Sequence, residues 1–118
     1  MSEQKLFGPL SRTALEKVAL RFKALGDPTR LSIIQLLLSG EKTVGEIYTV
    51  TNMNQANISK HLSILLEQGI LSKRKFGLYS YYKIKDESIT KICELVCNSV
   101  SKHLELASSE FEFSRPQD

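Results

Sequence analysis

With 118 residues, 42% of them apolar and 25% charged, the chain has the length and composition of one soluble globular domain. No apolar run approaches the roughly 18 residues a membrane-spanning helix needs, and the opening MSEQKLFGPLSRT has no basic flank leading into an apolar segment, so a cytoplasmic protein is expected. A net charge of +3 names no partner by itself, and two cysteines in a reducing compartment make no structural staple.

Ser11 is placed to cap a helix over TALEKVALRFKAL, whose apolar residues at 15, 18, 19, 22 and 25 recur at helical spacing, and Gly26 stops it. In DPTRLSIIQLLLSG, Asp27 suits an N-cap, Pro28 the first helical position and Gly40 the close. Thr43 and Glu46 form a capping box for a short third helix, VGEIYTV. A fourth helix, capped by Asn52 or Asn54, runs through NQANISKHLSILLEQ and ends at Gly69. The period then changes. ILSKRK and YSYYKI are β-prone runs joined around FGL, which reads as a hairpin. Asp86 and Glu87 open a last helix that is expected to reach about Ser108. No repeat or linker interrupts the chain, so residues 1–118 are expected to form one domain with a core over 11–108, a flexible arm at 1–10 and a flexible tail at 109–118.

Three helices, a fourth with a polar front, a two-stranded wing and a final helix spell a winged helix-turn-helix, mainly α with a β-hairpin. On the fourth helix, Ile58, Leu62, Leu65 and Leu66 share one stripe that must face the core. Ala56, Ser59, Lys60 and Ser63 lie opposite, and Gln55 and Asn57 sit near the exposed N-terminus. Gln55 and Asn57 offer paired donor and acceptor groups that match adenine. Ser59 donates or accepts, Ala56 suits a thymine methyl, and Lys60 reaches guanine or phosphate. The helix N-terminus itself attracts phosphate.

Charge agrees with a polyanion at the middle of the chain: residues 54–85 hold six bases against the single acid Glu67, whereas residues 86–118 hold seven acids against three bases. Lys73, Arg74 and Lys75 fall where a wing reaches along the backbone or into the minor groove. The bland alternative for all these residues is a solvated surface. His61, flanking the buried stripe, is expected to be packed and hydrogen-bonded rather than a base contact or metal ligand, and Tyr82 beside Ile84 is expected to pack in the core.

FKALGDPTRLSIIQLLLSGEKTVGEI, NQANISKHLSILLEQGIL and SKRKFGLYSYYKI, in this order, closely resemble the ArsR/SmtB family of bacterial transcriptional repressors over about residues 15 to 100. The resemblance implies a homodimer built on the first and last helices, binding of an inverted-repeat operator in double-stranded DNA through the fourth helix and wing, and release when an inducer binds. Two departures stand out. Where many relatives carry an acid-glycine-arginine wing tip, this chain has KFGL, with Leu78 in place of the arginine. The metal sites of the family are also missing: no cysteines lie near Tyr48 and Val50, and of the last-helix zinc set only Asp86 is kept, with Ser88, Ser99 and Lys102 at the other three positions. His103 and Glu105 alone do not make a set, so no metal or other cofactor is expected.

The last helix carries Ile89, Cys93, Val96, Val100, His103 and Ala107 at alternating spacings of four and three, a heptad-like seam. Cys93 lies on it and Cys97 at its margin. One reading makes both small apolar residues filling an interface. The sharper reading is thiol-based sensing of a persulfide or oxidant. Residues four apart on a helix have β-carbons about 5–6 Å apart, whereas a disulfide wants roughly 3.5–4.5 Å. A direct Cys93–Cys97 disulfide would therefore strain the turn, while a bridge of extra sulfur atoms or a soft ion such as As(III) spans it. Persulfide and metalloid sensors among the relatives use cysteine pairs, although persulfide sensors place one partner near Glu41 and Lys42. A metalloid sensor using the same cysteines, or a repressor with structural cysteines and another inducer, are the alternatives. An interaction module that no longer reads DNA is disfavoured by Lys60 and the basic wing. An enzyme is disfavoured by the lack of a glycine-rich cofactor loop, of a Ser/His/Asp set and of room for a catalytic domain.

Overall fold

The computed structural model describes residues 8–104. Its elements are α1 (Arg12–Leu25), α2 (Pro28–Leu37), β1 (Lys42–Thr43), α3 (Val44–Thr51), α4 (Gln55–Glu67), β2 (Leu71–Phe76), β3 (Tyr79–Ile84) and α5 (Ser88–Leu104). The chain divides after Lys85 into two units.

In the first unit the helix starts are built by side chains that satisfy free backbone N–H groups. Ser11 accepts from the Ala14 amide at 3.1 Å, Asp27 from Arg30 at 3.0 Å and Asn54 from Asn57 at 2.8 Å. Thr43 and Glu46 complete the reciprocal capping box that begins α3. Of the two asparagines considered for α4, Asn54 is the cap. Asn52 instead ends α3 in the left-handed region, at φ 62°, a conformation its short amide tolerates.

Two helix ends differ from the glycine positions expected. α2 stops at Leu37 with Leu38 as its cap, and the Gly40 amide reaches back to the Leu37 carbonyl at 3.2 Å. α4 stops at Glu67 with Gln68 as its cap, and Gly69 follows at φ 71°. In both cases the glycine serves the turn after the helix.

The sheet is antiparallel with order β1-β3-β2. Its register pairs Leu71 with Ile84, Lys73 with Tyr82, Arg74 with Tyr81 and Phe76 with Tyr79, while β1 pairs Lys42 with Tyr82 and Thr43 with Tyr81. The hairpin loop is Gly77-Leu78. Gly77 carries the positive φ, 64°, and Leu78 does not, which matches a type II′ turn and its twist. The two-residue β1 is absent from the sequence reading, because nothing local marks so short a strand.

The core of this unit gathers Ile33, Ile47, Ile58, Leu65 and Ile70, all 0% exposed, with Leu62, Leu71 and Tyr82 beside them. Each aliphatic side chain buried this way contributes about 1.5–3 kcal/mol. Ile58, Leu62 and Leu65 form the expected buried stripe of α4, and Leu66, at its edge, is half-buried. By contrast α1 buries only Ala24 and Leu25 and leaves Leu15, Val18 and Phe22 exposed.

The second unit is described by α5. Asp86 starts it, accepting from the Ser88 amide at 3.0 Å and its hydroxyl at 2.7 Å. Ile89 is buried, Cys93 and Cys97 are half-buried, and Leu95, Val96, Val100 and Leu104 are exposed. The expected stretch to Ser108, with Ala107 and Glu105, lies outside the described residues, as do arm residues 1–7 and the tail 109–118. Among the described residues no helix is long and apolar enough to cross a membrane.

Candidate nucleic-acid interface

α3, the Asn52–Asn54 turn and α4 place the front of α4 on the surface. Gln55, Ala56, Asn57, Ser59, Lys60 and Ser63 are all exposed. Among the described residues, no hydrogen bond or ion pair within the chain engages the side chains of Gln55, Asn57, Ser59, Lys60 or Ser63. Donors, acceptors and one ammonium thus stand uncommitted on one helix face, beside the positive end of the helix dipole. The opposite stripe of the same helix is in the core, so this face cannot turn inward without exposing Ile58 and Leu65.

His61 borders this face and is half-buried. Its Nδ1 lies 3.1 Å from Nη1 of Arg30, whose Nε donates to the Ala24 carbonyl at 2.6 Å. The Asp27 carboxyl that caps α2 is held below the usual carboxylate range, first by the Arg30 amide and also by the charge of the Arg30 side chain. At the far end of α4, Nη2 of Arg21 donates to the Gln68 carbonyl at 2.6 Å. Two arginines that the sequence reading did not single out therefore hold α4 at its middle and at its C-terminal end.

The three basic residues of the wing are not presented together. Side chains alternate along a strand, so Lys73 and Lys75 lie on one face of β2 and Arg74 on the other. Lys73 and Lys75 are exposed, with the Lys73 ammonium 5.8 Å from the Tyr82 ring centre. Arg74 instead makes a two-pronged pair with Glu41, Nε to Oε1 at 3.0 Å and Nη2 to Oε2 at 2.7 Å. Its guanidinium carbon lies 4.7 Å from the centre of the Tyr81 ring. The hydrogen-bonded guanidinium lowers the pKa of Glu41, and the carboxylate raises that of Arg74. Glu41 and Tyr81 are further residues missed in the sequence; a period of two along SKRKF was the available signal that Arg74 faces away from its neighbours.

Cys93 and Cys97 lie one turn apart on α5, both free. Burial pushes the Cys93 thiol up. Among the described residues no three His, Cys, Asp or Glu side chains gather to hold a metal ion.

Residues 27–73 match the family described as bacterial regulatory protein, arsR family. An uncharacterized HTH-type transcriptional regulator of Methanocaldococcus jannaschii is 44% identical over 82 residues, which cover 69% of this chain and 92% of that protein. The chain belongs to the ArsR family of bacterial regulatory proteins. Within the family, an arsenical resistance operon repressor of Bacillus subtilis is 35% identical over 86 residues, covering 70% of this chain and 82% of the relative. The solution structure of the homodimeric winged helix-turn-helix DNA-binding domain of a possible ArsR-family regulator from Mycobacterium bovis aligns with a TM-score of 0.72 and 36% identity, over 85% of this chain and 94% of that one. This ArsR-family chain has the winged helix-turn-helix fold of DNA-binding transcriptional regulators.

Proposed function

We propose that this protein is a homodimeric repressor that binds an inverted-repeat operator in double-stranded DNA and releases it on a thiol-directed signal at Cys93 and Cys97. The uncommitted front face of α4 carries this reading. Gln55, Ala56, Asn57, Ser59, Lys60 and Ser63 are offered to base edges in the major groove, while Lys73 and Lys75 reach phosphates from the wing. The homodimeric neighbour supports self-association. So do the apolar side chains left in water, Leu15, Val18 and Phe22 on α1 and Val96, Val100 and Leu104 on α5, since such stripes mark protein contacts. Two-fold symmetry in the protein then matches two half-sites about one DNA turn apart.

The signal enters through α5, where modifying a residue on the dimer seam changes helix packing and hence the spacing of the two α4 helices. Two sulfurs one turn apart suit a sulfur-rich bridge or a soft ion. Burial disfavours the Cys93 thiolate, so Cys93 serves better as the second partner of such a bridge than as the first nucleophile.

DNA binding of the reduced protein is measured at fixed salt before and after a persulfide donor, with intact mass on both samples. Loss of affinity with added sulfur on Cys93 or Cys97, reversed by reductant and absent in Cys97→Ser, is the expected result. Unchanged affinity despite modification would sink the thiol switch, and loss with arsenite alone would replace it by the metalloid reading that the Bacillus subtilis relative's name suggests.

A further inference from the structure

The pair Arg74–Glu41 spans the whole sheet. The register sets Thr43, Tyr81 and Arg74 in a row across β1, β3 and β2. Arg74 starts on the outer strand, passes over the Tyr81 ring and meets Glu41, the residue before β1. β1 is only two residues long, and its second residue, Thr43, is the cap that begins α3. Leu71 and Tyr82 hold the base of the wing in the core from the face of the sheet opposite Arg74 and Tyr81, and β1 adds two backbone-paired residues. A guanidinium that bonds a carboxylate with two parallel N–H groups adds a direction that a single charge contact lacks.

We infer that Arg74 and Glu41 form a latch that sets the angle of the wing against the α3–α4 pair. Both are positioning residues for DNA binding, and neither touches DNA. Arg74 sits on the opposite face of β2 from Lys73 and Lys75, and its fork is already occupied. The inference rests on the DNA-binding reading above.

A carboxylate beside a polyanion opposes binding by simple electrostatics, so the sign of the Glu41 effect separates the two possible roles of Arg74. The probe is the duplex that the wild-type protein recovers from a random-sequence pool, and affinity is measured over a series of salt concentrations. The latch requires Arg74→Gln and Glu41→Gln each to weaken binding by roughly three- to fivefold, the range of a well-formed surface pair. The double variant is then no weaker than either single one. Arg74→Lys, which keeps the charge but loses the fork, is as weak as Arg74→Gln. The salt dependence is unchanged throughout, and thermal unfolding shows all four variants folded.

The inference is overturned if Arg74→Gln lowers the salt slope by about one while Arg74→Lys and Glu41→Gln bind like the wild type or tighter, the behaviour of a direct phosphate contact. It is also overturned if no variant changes affinity. A wild type that recovers no duplex removes the DNA-binding reading itself and leaves the latch nothing to position, an outcome distinct from the others because it is read before any variant is made.

Discussion

Arg30 of α2 and His61 of α4 meet at 3.1 Å, Nη1 to Nδ1, while Nε and Nη2 of the same arginine hold the carbonyls of Ala24 and Lys23 at 2.6 and 3.2 Å. A guanidinium has only donors, so Nδ1 of His61 is the acceptor in this contact. One side chain thereby joins the end of α1, the start of α2 and the middle of the helix that carries the proposed DNA face. His61 is the packed, hydrogen-bonded residue its sequence position suggested.

Arg30→Ala removes all three bonds and leaves the part-buried Ala24 carbonyl unpaired, while the Lys23 carbonyl keeps the Gly26 amide at 3.1 Å. The expected cost is about 1–3 kcal/mol, read as a lower urea midpoint with an unchanged slope. Arg30→Lys recovers at most one bond and falls between the two. His61→Ala frees only one guanidinium N–H, which water can reach, and costs less than Arg30→Ala. A His61→Ala loss equal to that of Arg30→Ala would show that the histidine, and not the arginine, is the centre of this junction.

Acid should weaken the fold through Asp27 and Glu41. Both carboxyls lie below their ordinary values of 3.8 and 4.5, Asp27 chiefly through the Arg30 amide and Glu41 chiefly through the Arg74 side chain. A carboxyl whose folded pKa is depressed contributes stability that is complete above its unfolded pKa and is lost as pH falls through the folded one. Stability is therefore flat above these ordinary values and declines below them. Asp27→Asn keeps an oxygen to cap α2 but does not titrate, so its acid limb is shallower than that of the wild type. Urea midpoints between pH 6 and pH 2.5 decide it, and superimposable limbs would remove Asp27 from the account.

The elements that could be read from the sequence are those with local causes. Ser11, Asp27, Thr43 with Glu46, and the turn around Gly77 act within a few residues, and the structure places each of them at the feature it announces. The exposed front of α4 follows from its 100° repeat against Ile58, Leu62 and Leu65. What could not be read is set by partners distant in the chain. β1 exists because Tyr81 and Tyr82 pair with it, and Arg74 meets Glu41 only after the sheet is assembled. Periodicity on α1 identifies an apolar face but not what covers it: Leu15, Val18 and Phe22 have the spacing of a core stripe and stand exposed.

The two cysteines should differ in behaviour. Burial raises the Cys93 pKa, and the thiolate is the reactive form. Iodoacetamide at pH 7 should therefore alkylate Cys93 more slowly in the folded protein than in urea, because burial disfavours the thiolate. The rate should climb as pH rises. Peptide mass spectrometry over a time course assigns each rate to its cysteine. Equal folded and unfolded rates at Cys93 would mean that the thiol is accessible and ionises freely, which would promote it to first nucleophile in the proposed switch.

Gly69 and Gly77 both have positive φ, 71° and 64°, so alanine is strained at each. Their surroundings differ. A β-carbon at Gly77 meets nothing within 4 Å, whereas at Gly69 it would lie 3.0 Å from Nη2 of Arg21. That nitrogen donates to the Gln68 carbonyl at 2.6 Å, so moving it aside disturbs the bond that closes the end of α4. Gly69→Ala is expected to lose, in excess of its backbone strain, roughly the worth of one hydrogen bond, about 0.5–1.5 kcal/mol. In an Arg21→Ala background the excess should vanish, because the obstructing group is gone. An excess that persists there would place the difference in the backbone of the turn and not in the arginine.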